Sequence, residues 1–221
     1  MVQLSFKNTA VNEVPEKQSS LEALNLTESI LKEALFRGLS ARRTMTENNP
    51  LTSKGQYFYS EAVRALRELL ATNGYEKISV RNVELCINKE IGVAIYLCGG
   101  CSQTGLANGY PQSIYSKGDF LLDLFGLHRH ESPNLDLFHE LLPTINNQNN
   151  LKCDIWFLLH HIDKNDNSIR AELCKAKSHD NRGFVTGFDL DNRIIIDMTT
   201  QLVIPKEPDF SPEVDFDIDE L

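Results

Sequence analysis

The sequence lacks most of the features that assign a protein quickly. No apolar run approaches the roughly 18 residues that a membrane-spanning helix needs. The opening stretch, MVQLSFKNTAVNEVPEKQSS, has neither the basic start nor the apolar stretch of a secretory signal. A cytoplasmic protein with no membrane association is therefore expected. Cysteine is sparse and odd in number: Cys86, Cys98, Cys101, Cys153 and Cys174, in a chain without an export signal, read as free thiols rather than a disulfide framework. Gly100-Cys-Ser-Gln-Thr-Gly105 is not followed by the Lys-Ser/Thr of a phosphate-binding loop, no Gly-x-Gly-x-x-Gly follows a strand, and there is no Gly-x-Ser-x-Gly elbow. Repeats at solenoid or propeller periods are missing too.

Positive charge is also in short supply. The chain carries 22 Lys+Arg against 31 Asp+Glu, a formal −9, and the distribution is uneven. Residues 206–221, KEPDFSPEVDFDIDEL, hold seven acids against one base, so −6 of the −9 sits there and −3 is left for the other 205 residues. A body this near neutrality lacks the field by which proteins grip duplex DNA through its phosphates, which argues against direct duplex DNA binding. Otherwise the 221 residues, 41% hydrophobic and 24% charged, have the composition of a globular protein with a real core.

The periodicities predict helices first and strands later. Residues 1–19 are polar and read as a loose arm, with a capping box at Ser19-x-x-Glu22 suggesting a turn. After Thr27, a plausible N-cap, the apolar residues Ile30, Leu31, Ala34, Leu35 and Leu39 recur at helical spacing. Asn49-Pro50 interrupts the pattern, a second helix is expected over Gln56–Ala71, and Asn73-Gly74 supplies its left-handed stop. Val83–Ile87 and Ile91–Cys98 are rich in β-formers and read as a tight antiparallel hairpin, the second strand central because it is apolar on both faces.

Residues 99–118 form a long irregular loop of the kind that is usually functional or mobile. Short helices are expected over Asp119–Leu127 and Glu131–Leu142, then a hairpin over Asp154–His161 and Ile169–Cys174, and short strands at Phe184–Phe188 and Ile194–Asp197. The predicted fold is α+β: one domain over 20–205, a mainly antiparallel sheet of about five to six strands packed against N-terminal and central helices on one side.

Several constellations suggest chemistry, and each has a plainer explanation. Cys98-Gly-Gly-Cys101 has the spacing of a metal or redox pair, but no second CxxC lies near it, and two incidental thiols at a strand end explain it as well. His128, His130 and His139 invite a metal, yet Pro143 stands where the second histidine of a zinc-peptidase helix belongs. No metal and no cofactor is therefore expected. Asp154 with Glu172 and Lys175 approaches the Asp…Glu-x-Lys set of a metal-dependent nuclease. Strand side chains alternate, so Glu172 and Lys175, three apart, point to opposite faces unless a bulge intervenes. Arg37, Arg42, Arg43, Lys54, Arg64 and Arg67 give the helical part a basic side, and Trp156 reads as core.

The acidic segment 206–221 is the leading candidate for binding. Pro205, Pro208 and Pro212 keep it extended, and Val214-Asp-Phe-Asp-Ile-Asp-Glu-Leu221 then alternates apolar residues with acids. Such a segment can insert Phe216, Ile218 and Leu221 into an apolar groove while Asp215, Asp217 and Asp219 meet flanking Lys or Arg. Over about eight residues it resembles the acidic terminal peptide by which bacterial single-stranded-DNA-binding protein recruits genome-maintenance enzymes.

A wider likeness is carried by Arg81-Asn82-Val83-x-Leu85-x-Ile87-Asn88, Val93-Ala94-Ile95, Thr104-Gly105, Lys117-Gly118, Arg170-Ala171-Glu172-Leu173 and Arg193-Ile194-Ile195. Over roughly residues 30–205 these are similar to uncharacterised bacterial proteins often encoded on mobile elements. That resemblance implies no catalytic residue. The expectation is a non-catalytic interaction protein whose acidic segment and 99–118 loop contact a protein or nucleoprotein partner. The competing expectation is a nuclease or other hydrolase using Asp154, Glu172 and Lys175.

Overall fold

A computed structural model describes residues 13–127, 153–163, 165 and 168–199. Three helices come first: α1 (Glu13–Glu22), α2 (Glu28–Arg43) and α3 (Ser53–Ala71). The arm expected over residues 1–19 is thus already helical from Glu13, with Pro15 in the first turn where its missing N–H costs nothing. Ser19 and Glu22 fall at the end of α1 rather than at a helix start, and Glu22 accepts from Gln18 instead. Thr27 does cap α2: its backbone is extended, and its hydroxyl accepts from the Ile30 N–H at 3.3 Å.

Leu31, Ala34, Leu35 and Leu39 of α2 pack against Phe58, Ala62, Ala65 and Leu66 of α3, all of them buried. At Gly38 the helices approach so closely that a Cβ would lie 2.8 Å from the Ala62 Cβ and 2.8 Å from the Phe58 carbonyl oxygen. The chain reverses after α3 at Gly74, whose φ of +80° is the left-handed stop expected there.

The sheet has seven strands: β1 (Glu76–Val80), β2 (Val83–Asn88), β3 (Val93–Gly99), β4 (Asp154–Ile162), β5 (Ile169–His179), β6 (Val185–Phe188) and β7 (Ile194–Ile196). They lie in the order β1-β2-β3-β4-β5-β6, with β7 also on β5. Both expected hairpins form, and β3 is interior and buried along almost its whole length. β1 was not expected from its short, half-charged sequence; it turns into β2 through Arg81 and Asn82, both at positive φ, as two-residue hairpins require. All pairings are antiparallel except β3 with β4, where Val93 pairs with Asp154 and Gly99 with His160.

Helices cover both faces, not one. Ile95, Leu97, Trp156, Leu158 and Leu173 share a core with α1–α3. Their alternate neighbours Tyr96, Cys98, Phe157, Leu159 and Cys174 form a second core with Leu122 of α4 (Asp119–Leu124). Two-sided burial is what continuous apolar strands demand. Loop 99–118 leaves β3 and passes over this second face.

Candidate interaction site

The site is built on one buried acid. Glu172 lies in the run Ala171-Glu-Leu-Cys174 of β5, opposite Leu159 of β4 and Ile195 of β7, and is 0% exposed. A buried carboxylate is tolerated only when its oxygens are engaged. Here Oε1 accepts the Gly105 N–H at 3.0 Å, and Oε2 lies 3.4 Å from Nη1 of Arg193. Burial raises the Glu172 carboxyl above its ordinary range, while the Gly105 N–H and the Arg193 guanidinium pull it back down.

Arg193 completes the connection to the loop. Its Nη1 donates to the Gly109 carbonyl at 2.9 Å and its Nη2 to the Ala107 carbonyl. Arg170 donates to the Ser102 carbonyl at 2.8 Å. Gly105 has φ +72°, and a Cβ there would lie 2.8 Å from the Arg170 Cβ, so both conformation and space favour glycine.

The rest of the loop is fastened at short intervals. Gly100 N–H donates to the His160 carbonyl (2.8 Å), Cys101 N–H to Gln112 (2.9 Å), Ile114 N–H to Gly99 (3.0 Å) and Lys117 N–H to Gly183 (2.7 Å). Ser113 bridges to β6, its N–H donating to the Val185 carbonyl and its hydroxyl accepting the Val185 N–H. Thr104 and the Lys117 side chain are buried, the Lys117 ammonium lying 5.6 Å from the centre of the Tyr96 ring. Beside the exposed polar residues Ser102, Gln103, Asn108, Gln112 and Ser116, this scaffold leaves three large apolar side chains outside: Tyr110 is 71% exposed, Tyr115 69% and Ile114 45%.

The nuclease set does not assemble. Asp154 and Lys175 meet at 2.6 Å on the α1–α3 face, with the Lys175 ammonium 5.1 Å from the Trp156 ring centre. Glu172 points to the opposite face, because the register from Trp156↔Lys175 to Leu159↔Glu172 runs without a bulge. Cys98 is buried, which pushes its thiol up, while Cys101 is partly exposed beside the Tyr110 carbonyl; both are free thiols. Among the described residues no group of three or more His, Cys, Asp or Glu is placed to hold a metal ion.

His128, His130 and His139, and the segment with Asp215, Phe216, Asp217, Ile218, Asp219 and Leu221, lie outside the described residues. Three of the six cations on the basic side of the helices are paired with acids: Arg37 with Glu33 and Glu68, Arg64 with Glu61 and Glu68, Arg67 with Glu84. Trp156 is 8% exposed, as expected of core.

Two buried polar arrangements are not legible as such in the sequence. Arg193 precedes three isoleucines, and Glu172, the one acid of β5, stands in its apolar stretch Ala171–Cys174; an opposite-sign pair in such settings signals a buried bridge. His160, which packs on Phe58 with ring centres 4.5 Å apart, has a buried Nδ1 without a partner among the described residues. Burial, then the neighbouring His161, lowers its pKa to about 4.

In comparisons with known proteins, the chain matches no family model, no curated protein and no solved structure.

Proposed function

We propose that the protein is a non-catalytic interaction module, cytoplasmic and of the bacterial, mobile-element type it resembles. Its 99–118 loop and acidic segment 206–221 contact a protein or nucleoprotein partner. The observation that carries this is the use to which Glu172 and Arg193 are put. The acid that a nuclease would need is enclosed and spent on holding a loop, and the loop displays Tyr110, Ile114 and Tyr115 to solvent.

Tyrosines held in place on a fixed backbone bind with little ordering cost, which is why such residues dominate interface energetics. No described helix is long and apolar enough to cross a membrane, in keeping with a partner met in solution. The test is a photo-crosslinking side chain placed at Tyr110 or Tyr115, with exposed Tyr57 on α3 as the control position, in cells expressing the full chain. Adducts from the loop positions that disappear on Ile114→Ala support the proposal. Equal adducts from Tyr57, or none from the loop, contradict it.

A further inference from the structure

A cleft of about 1380 Å³ runs between α1–α2 and the outer side of β7. Leu24, Phe36, Leu39 and Trp156 give it apolar wall, and all of β7 lines it. Lys17, Arg43, Arg170 and Arg193 line it with Asp191 and Asp197; Lys17 is already paired with Glu28 and Arg193 with Glu172, which leaves Arg43 and Arg170 as its cations without an acid among the described residues. β7 pairs with β5 on one side, so among the described residues its other edge presents unpaired backbone groups to the cleft. An open edge beside an apolar wall is the arrangement that accepts an added strand.

The chain itself is delivered to this place. The Asp197 N–H donates to Glu28 at 2.6 Å, and Glu28 also pairs with Lys17 at 2.7 Å, so the end of β7 is fastened to the α1–α2 wall. Met198 and Thr199 still line the cleft. Six residues, 200–205, then span at most about 20 Å before the acidic segment begins. Within that segment Val214, Phe216 and Ile218 alternate with Asp215, Asp217 and Asp219. As a strand it has one apolar face for the wall and one anionic face for the cations.

We propose that residues 214–218 dock in this cleft of their own chain, as a strand added to the free edge of β7. Tethering makes the local concentration of the segment high, on the order of millimolar for short linkers, so modest intrinsic affinity suffices. The docked segment is withheld from other proteins, and a partner gains it only by competing with the cleft. The inference rests on the proposal above in taking 206–221 as a recognition element.

The single tryptophan of the chain, Trp156, lies in the cleft wall and reports on it. The experiment compares the full chain, a chain ending at Pro205, and full-length Phe216→Ala/Ile218→Ala, by Trp156 emission and acrylamide quenching. Circular dichroism verifies that each is folded, and sedimentation gives its mass. The shortened chain and the double variant are expected to show red-shifted emission and stronger quenching than the full, monomeric chain. A synthetic peptide of residues 206–221 is expected to reverse the effect saturably in the shortened chain, more weakly at high salt, while a scrambled peptide does not.

Identical emission and quenching in all three proteins would overturn the inference, as would equal action of the scrambled peptide. A protection that exists only in a dimer would also overturn it, by making a second copy the occupant. Loss of the Trp156 effect with loop cross-linking intact defeats this inference alone. Loss of cross-linking with the Trp156 effect intact defeats only the partner proposal.

Discussion

Gly105 and Glu172, 67 positions apart in sequence, are joined by a 3.0 Å hydrogen bond from the glycine N–H to the buried carboxylate. Arg193 closes the same unit from the other side, reaching Glu172, Ala107 and Gly109 at once. Three short stretches of chain, each unremarkable alone, thereby turn an irregular loop into a fixed surface.

Glu172→Ala leaves the Arg193 guanidinium buried without its acid, and such losses cost about 3–5 kcal/mol. Glu172→Gln keeps an acceptor for the Gly105 N–H and is expected to cost less, about 1–3 kcal/mol. Urea unfolding measures both. Equal, negligible effects would show that the carboxylate does not support the loop.

Glycine substitutions separate crowded from open positions. Gly105→Ala meets both the positive φ and the Arg170 Cβ, and is expected to destabilise by about 1–3 kcal/mol. Gly55→Ala, in α3 with nothing within 4 Å of the added Cβ, is expected to stabilise by about 0.5–1 kcal/mol through helix propensity. Thermal or urea denaturation of the two variants should move in opposite directions.

His160 makes stability depend on acid. Its folded pKa of about 4 lies below the ordinary imidazole value, so the unfolded chain takes up the proton first. Its contribution is fully present above pH ~6.5, falls as the pH is lowered, and levels off below pH ~4, on the order of 3 kcal/mol in all. His160→Phe, which keeps the packing on Phe58, is expected to flatten the unfolding free energy between those limits. An unchanged slope would place the acid sensitivity elsewhere.

Asp154 and Lys175 form an exposed pair, so Asp154→Ala or Lys175→Ala is expected to cost at most about 1 kcal/mol. With Mg²⁺ or Mn²⁺ and mixed nucleic acids, the wild type should give no cleavage that Glu172→Gln abolishes. Metal-dependent cleavage lost in that variant would restore the nuclease assignment.

Much of the fold was legible because it is local. Thr27, Gly74 and the alternation in β4 and β5 announce a cap, a stop and a hairpin through neighbours in the sequence. The parity of Glu172 and Lys175, three apart on one strand, already places the two side chains on opposite faces. Long-range relations were not legible. The parallel pairing of β3 with β4 depends on a crossover through residues 100–153, and no periodicity encodes the edge on which a chain returns. β1 was hidden because Glu76 and Lys77 occupy an exposed outer strand, where burial imposes little pattern. The site failed to show for a related reason: loop 99–118 has no period of its own and takes its order from Glu172 and Arg193.

The most direct measurement is amide hydrogen exchange across residues 99–118 of the wild-type chain. The amides of Gly100, Cys101, Gly105, Ser113, Ile114 and Lys117, all donors in the folded loop, are expected to be protected to a degree approaching those of β3 and β4, and Glu172→Gln should release Gly105 first. Exchange of these amides at free-peptide rates in the wild type would contradict the account, because a loop that is not held cannot serve as a preformed surface.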